Sequence, residues 1–224
     1  LDGGVFIGDD AGSNPTLTIQ AGTKVMGDSS SVSFLSVQRG ARIEAVGEPD
    51  NPIVFTSDKQ PGFRDRGDWG GLVINGNAPV NLDGGEGVGE VGTGTYGGAN
   101  TADDSGTLQY VRVEFAGQQV SPDSGMNSVS LFALGSGTTI DHLHVHMGDD
   151  DAVEIIGGTV TWKYIITTGH SDDNLDWANG WQGKGQFYVA QQHSDVGDQG
   201  IEADNNGGNP EAEPFSDPML SNVT

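Results

Sequence analysis

Cysteine is absent from the 224 residues, so the chain has no disulfide framework, thiolate metal site or cysteine nucleophile. No stretch approaches 18 consecutive apolar residues, which excludes a helical membrane span. Positive charge is scarce: 9 Lys and Arg stand against 32 Asp and Glu, a formal charge of −23. That field repels phosphate backbones and anionic lipid surfaces and attracts cations, so nucleic acid is excluded as a partner. Strong helix formers are also thin. The acids are 23 Asp against 9 Glu, accompanied by 37 Gly and 13 Asn, residues that favour turns and weaken helices.

What the chain does contain is a set of short apolar runs separated by Gly, Asn, Asp or Pro. Examples are Leu17-Thr18-Ile19, Phe34 to Val37, Ile53-Val54-Phe55, Leu72-Val73-Ile74, Val153 to Ile156 and Trp162 to Thr167. They read as strands ended by turns, in one domain long enough for a continuous core. Two series then share one interval. Leu131, Val153 and Leu175 recur every 22 residues, with Ile201 following after 26; Leu143, Ile165 and Phe187 also recur every 22. A shared interval of that size predicts an all-β parallel β-helix of about 22 residues per coil and about nine or ten coils. A Gly-rich segment over 83–106 breaks the rhythm and reads as a loop leaving a single domain of 1–224. The stretch 205–217 is a second irregular segment.

An acidic box repeats on the same interval: Asp150-Asp151-Ala152-Val153-Glu154, Asp172-Asp173-Asn174-Leu175-Asp176 and Asp198-Gln199-Gly200-Ile201-Glu202. With the aliphatic residue pointing inward, strand alternation sends Glu154, Asp176 and Glu202 into one outward column. Asp149, Asp150, Asp151, Asp172, Asp173 and Asp198 fall at the turns just before it. Stacked coils bring such carboxylates to about 4.8 Å, where they repel, so they need a bound cation, shared protons or wide hydration. The density of oxygens suits Ca²⁺, which takes six to eight of them. Asp also serves simply as a hydrated turn residue, and the spacing matches no EF-hand loop.

Other constellations compete with this one. Asp150, Asp172 and Asp173 with His170 invite comparison with glycosidases, which work with paired carboxylates, or with a polysaccharide lyase. Lys163, Lys184 and Arg112 are the basic residues such a lyase would draw on, though an acidic polymer would meet a negative surface. His142, His144 and His146 alternate on one strand, a pattern that allows Zn²⁺ or Cu²⁺ to be shared with Asp141 or Asp149. Trp69, Trp177 and Trp181 lie near carboxylates, where they would either stack on sugar rings or close the core.

Several segments carry a resemblance: Leu17 to Thr23, Val37 to Ala41, Pro52 to Ser57, Gly67 to Ile74, Gly157 to Val160, Gly180-Trp181 and Gly200 to Asp204. Across nearly the whole chain the sequence resembles a family of exported bacterial β-helix lipoproteins with pectin-lyase-like architecture and no settled activity. The resemblance implies a right-handed parallel β-helix and an extracellular or cell-surface location. It also implies chains that run on past Ser221 to Thr224, hence a fragment or a module with an open end. The sequence itself opens directly on Val5-Phe6-Ile7 with no signal peptide, which leads to the expectation of a removed upstream segment. The expectation is a calcium-stabilised structural or binding module that engages carbohydrate or pairs end to end with itself. A polysaccharide-active enzyme is the alternative.

Overall fold

The computed structural model describes residues 1–121 and 124–224. In chain order the strands are β1 (Gly4–Ile7), β2 (Thr16–Ile19), β3 (Lys24–Gly27), β4 (Phe34–Val37), β5 (Arg42–Val46) and β6 (Ile53–Ser57). Then come β7 (Gly71–Asn75), β8 (Gly87–Val88), β9 (Thr95–Tyr96), β10 (Gly106–Glu114), β11 (Val129–Phe132) and β12 (Thr139–His146). The last six are β13 (Val153–Ile156), β14 (Thr161–Thr168), β15 (Leu175–Ala178), β16 (Lys184–Gln191), β17 (Glu202–Ala203) and β18 (Met219–Val223). One sheet stacks β1-β4-β7-β11-β13-β15-β17; the other stacks β2-β5-β10-β12-β14-β16-β18, with β3 and β6 completing its early coils. Every pair in both is parallel. The fold is the parallel β-helix that the repeat interval predicts.

Corners give the coil its cross-section, and each is made by a residue with positive φ in the same place on successive coils. The first column is Ala133, Gly157 and Asn179, and another is Phe115, Met147 and Gly169. A third, Tyr110, His142, Tyr164, Phe187 and Asn222, falls inside the long strands of the second sheet. There a single left-handed residue, in the same row of each coil, interrupts the ladder and bends the strand into two limbs. The cost of a positive φ on a bulky residue is of order 1 kcal/mol, and here it recurs coil after coil, so stacking must hold it.

Register corrects the expected series in two places. Val129, not Leu131, sits opposite Val153, while Leu131 faces Ile155. Six residues turn the corner between β11 and β12, against four between β13 and β14, so this coil is two residues longer than the next. Likewise Tyr188, not Phe187, sits opposite Ile165, because five residues separate β15 from β16. Phe187 is therefore an exposed corner residue and Tyr188 the core residue. The stacks have seven strands each along their main order rather than nine or ten, since two long excursions consume chain. One runs from the end of β7 to the start of β10, wider than the 83–106 loop the sequence marks, and contains the antiparallel hairpin β8–β9. The other joins β17 to β18.

The main core is an apolar column between the sheets, from Leu35 and Ile43 through Leu72, Val129, Val153 and Leu175 to Tyr188, and a second cluster gathers Phe34, Val73, Tyr96, Phe132 and Ile156. Trp69 and Trp181 are fully buried in it, so they close the core rather than meet sugars; Trp177 is half-buried. Gly185 is required here: a Cβ at that position would come within 2.1 Å of Trp162, whose indole fills the space beside Tyr188.

Candidate functional site

The acidic boxes stack as strand alternation requires. Glu154 pairs with Asp176 across β13 and β15, and Asp176 with Glu202 across β15 and β17. At parallel-strand spacing, two like charges repel by about 3–4 kcal/mol at an effective dielectric of about 20. Among the described residues, no ion pair with Lys or Arg reaches Asp149 or any of the eight box acids.

The second position of each box carries backbone. Asp151 Oδ1 accepts the Asp173 N–H at 3.0 Å, and Asp173 Oδ1 accepts the Gln199 N–H at 2.6 Å. These side chains are 9% and 2% exposed; each ties its own turn to the turn of the next coil. That explains why an oxygen-bearing side chain returns at this position, with Gln199 ending the chain of bonds. Asp149 accepts the Ser171 hydroxyl at 2.9 Å in a similar cross-coil bond.

The first position is freer. Asp150, Asp151 and Asp172 place one oxygen each within 4.8 Å of one another, and Asp172, Asp173 and Asp198 do the same. Asp172 belongs to both groups and is exposed. Oxygens about 2.4 Å from a central Ca²⁺ are at most about 4.8 Å apart, so both groups have the span of a calcium coordination shell. Beside the first group lies a cavity of about 330 Å³ lined by Asp149, Asp150, Asp172 and Glu90. Glu90 comes from the excursion after β7, and nothing in its local sequence marks it. Asn127 is a second unanticipated participant, donating from Nδ2 to Glu154 Oε2 at 2.7 Å.

The electrostatics record the crowding. Burial first, then the Asp176 charge, pushes Asp151 up to about 9. Burial and Glu202 push Asp176 up to about 7, and burial pushes Asp150 up to about 6. Glu154 is held well above the usual carboxylate range by burial and by Glu90, Asp176 and Asp151. Partial desolvation raises Glu90 to about 7 although its surface is exposed, with Asp150 contributing; it also raises exposed Asp172 and buried Asp173. Without a counter-ion, the edge therefore holds protons at neutral pH.

His170 does not join this edge. It is 1% exposed, its Nδ1 accepts the Gly148 N–H at 3.2 Å, and burial holds it neutral, down to about 4. The three strand histidines do not act as one set either. The bend at His142 breaks the alternation, so its ring stacks between Tyr110 and Tyr164 at centroid distances of 4.3 and 4.5 Å. Phe187 extends this stack at 4.8 Å. The second limb carries Ile166 and Val189, each 43% exposed, beside the stack, and between the two lies a mostly apolar hollow of about 470 Å³. A larger open hollow of about 850 Å³ is lined by Arg39, Asp10 and Glu86; its guanidinium is already committed to both carboxylates.

No described helix is long and apolar enough to cross a membrane. Comparison with curated proteins and with solved structures returns no match. A family model described as a pectate-lyase-like beta helix domain matches residues 1–224, and with this coil geometry across that same span the chain belongs to the pectate-lyase-like β-helix family.

Proposed function

We propose that this chain is a calcium-stabilised β-helical binding module of the bacterial cell exterior. The observation that carries the proposal is the pair of carboxylate groups sharing Asp172, each with oxygens within 4.8 Å and no cationic side chain among them. Ca²⁺ supplies the missing charge and draws the turns of three successive coils together. Calorimetric titration with Ca²⁺ at pH 8 tests it: Asp172→Asn should weaken binding at both groups, by about 10-fold or more for loss of one charged ligand. Wild-type affinity in this variant would remove the proposal. Asp172 is exposed, so the variant keeps the fold.

A carbohydrate is the ligand class that the bent face supports. A pyranose offers an apolar face and a hydroxyl rim, and the hollow offers Tyr164, Ile166, Phe187 and Val189 beside His144 and Asn222. Because the aromatic rings cover one another's faces, a sugar would rest on their edges and on the aliphatic limb. Ile166→Asp is expected to abolish retardation in affinity electrophoresis through neutral polysaccharide gels; unchanged retardation would remove this face from the account.

An enzyme built on Asp150, Asp172, Asp173 and His170 has less support. His170 is sealed from solvent, and Asp173 holds the Gln199 backbone. A screen for reducing sugar and unsaturated product separates the two readings.

A further inference from the structure

One loop differs in charge from the rest of the surface. Between β6 and β7, Lys59, Arg64 and Arg66 are three of the nine Lys and Arg in a chain of formal charge −23, and Asp65 is the one acid among residues 59–66. The tip is a turn: the Phe63 N–H donates to the Gln60 carbonyl at 3.0 Å, Pro61 holds the second position and Gly62, at φ +89°, the third. That is the sequence and geometry of a type II turn. Arg64 Nε donates to the Lys59 carbonyl at 2.9 Å, and Lys59 Nζ lies 2.5 Å from an oxygen of buried Asp68. The loop is therefore rigid before it meets anything. It holds Phe63 78% exposed, above every other described large apolar residue. Arg66 is spent on Gly169 and Asp195, whereas Arg64 enters no ion pair among the described residues.

The excursion from β17 to β18 carries the opposite charge. Residues 204–224 contain no Lys or Arg. Asp204, Glu211, Glu213 and Asp217 are all exposed, and none is paired among the described residues. Phe215 and Met219 are 43% and 63% exposed beside them. This segment is also preformed, since Asn205 Nδ2 donates to the Pro210 and Ala212 carbonyls and its Oδ1 accepts from Asn81. The loop enters the first sheet at β7 and the excursion leaves it at β17, four steps along the stack and at the other end of the strands. We propose that the loop docks on the excursion of a second copy of this chain, with Phe63 against Phe215 and Met219 and Arg64 among Glu211, Glu213 and Asp217. Opposite charges steer and orient the pair, and a rigid aromatic anchor loses little entropy on burial. The two surfaces differ, so each copy keeps one of each free and the contact propagates head to tail beyond a dimer. It uses neither the calcium edge nor the aromatic hollow.

A loop-sized contact makes a small, reversible interface, so the test is sedimentation velocity of the whole chain over a wide concentration range. With Ca²⁺ present and about 0.15 M salt, repulsion between copies is screened beyond about 8 Å while contact pairs persist. The mass should rise with concentration beyond that of a dimer. Phe63→Ser and Arg64→Glu should each move the rise to at least about 10-fold higher concentration, the effect of one lost anchor. A chain carrying Glu211→Lys and Glu213→Lys should also stay monomeric. An equimolar mixture of that chain with the Arg64→Glu chain should assemble again, because each loop then meets an excursion of opposite charge. Misfolded variants cannot give that rescue. Wild type that stays monomeric throughout, association that ignores Phe63→Ser, or a mixture that stays apart would overturn the proposal. So would Phe63-dependent sedimentation of monomeric protein with anionic phosphatidylglycerol vesicles, which would assign the loop to a lipid surface.

Discussion

In calcium-free buffer the melting temperature should fall as pH rises from 6.5 to 8.5, and millimolar Ca²⁺ should cancel the fall. The sign follows from linkage. Asp176 is raised to about 7 and Asp151 to about 9, against about 4 for unfolded carboxyls. Over this window the folded chain therefore binds more protons than the unfolded one, and its stability declines with pH. The stabilisation is complete below the unfolded value and is lost as pH climbs through the folded ones. His144 and His170, both held down to about 4, act in the opposite sense, but only below about pH 6.5, which is why the window starts there. Calcium binds the deprotonated edge, so its effect grows as protons leave. At about 100 times its dissociation constant it adds about 2.7 kcal/mol, or about 5–10 °C for a chain of this size. Thermal scans with calcium and with chelator at both pH values check this. A calcium effect that is absent, or equal at the two pH values, would count against a cation on the boxes.

The second large effect changes sign with calcium. Glu154→Gln keeps an oxygen for the Asn127 amide and removes a charge from a column in which Glu90, Asp176 and Asp151 all oppose it. In chelator at pH 8.5 the variant should melt higher than wild type, by a few degrees for about 1–2 kcal/mol of relieved repulsion. In calcium it should lose the attraction that the Glu154 charge, which lies outside both carboxylate groups but beside Asp151 and Asp150, lends the ion, and melt lower than wild type. A merely hydrated acidic face predicts no crossing, because exposed charges at that spacing are screened and worth little.

Much of this was legible in the sequence because stacking converts distance along the chain into distance along one axis. The box spacing placed Glu154, Asp176 and Glu202 in a single column, and the strands show that register. The errors came where coil length varies. Two extra corner residues after β11 displaced Leu131 from the Val153 row, and one before β16 moved Phe187 to the surface. The aromatic stack was hidden for a related reason. Its bend is made by Tyr, His and Phe at positive φ, a conformation normally signalled by Gly or Asn, so the sequence alone predicts strict alternation through His142. Glu90 was invisible because a loop's landing place follows from tertiary packing. Its segment is fixed where Ser36 and Gln38 bond the Thr93 carbonyl and Tyr96 packs on Phe132.

The account stands on calcium, not protons, neutralising the boxes. A crystal structure from calcium-containing solution at pH 8, with anomalous scattering to identify the ion, tests this most directly. The account predicts an ion at about 2.4 Å from oxygens of Asp150, Asp151 and Asp172. Carboxyl oxygens paired at about 2.5–2.7 Å through a shared proton, with no anomalous peak between them, would contradict it.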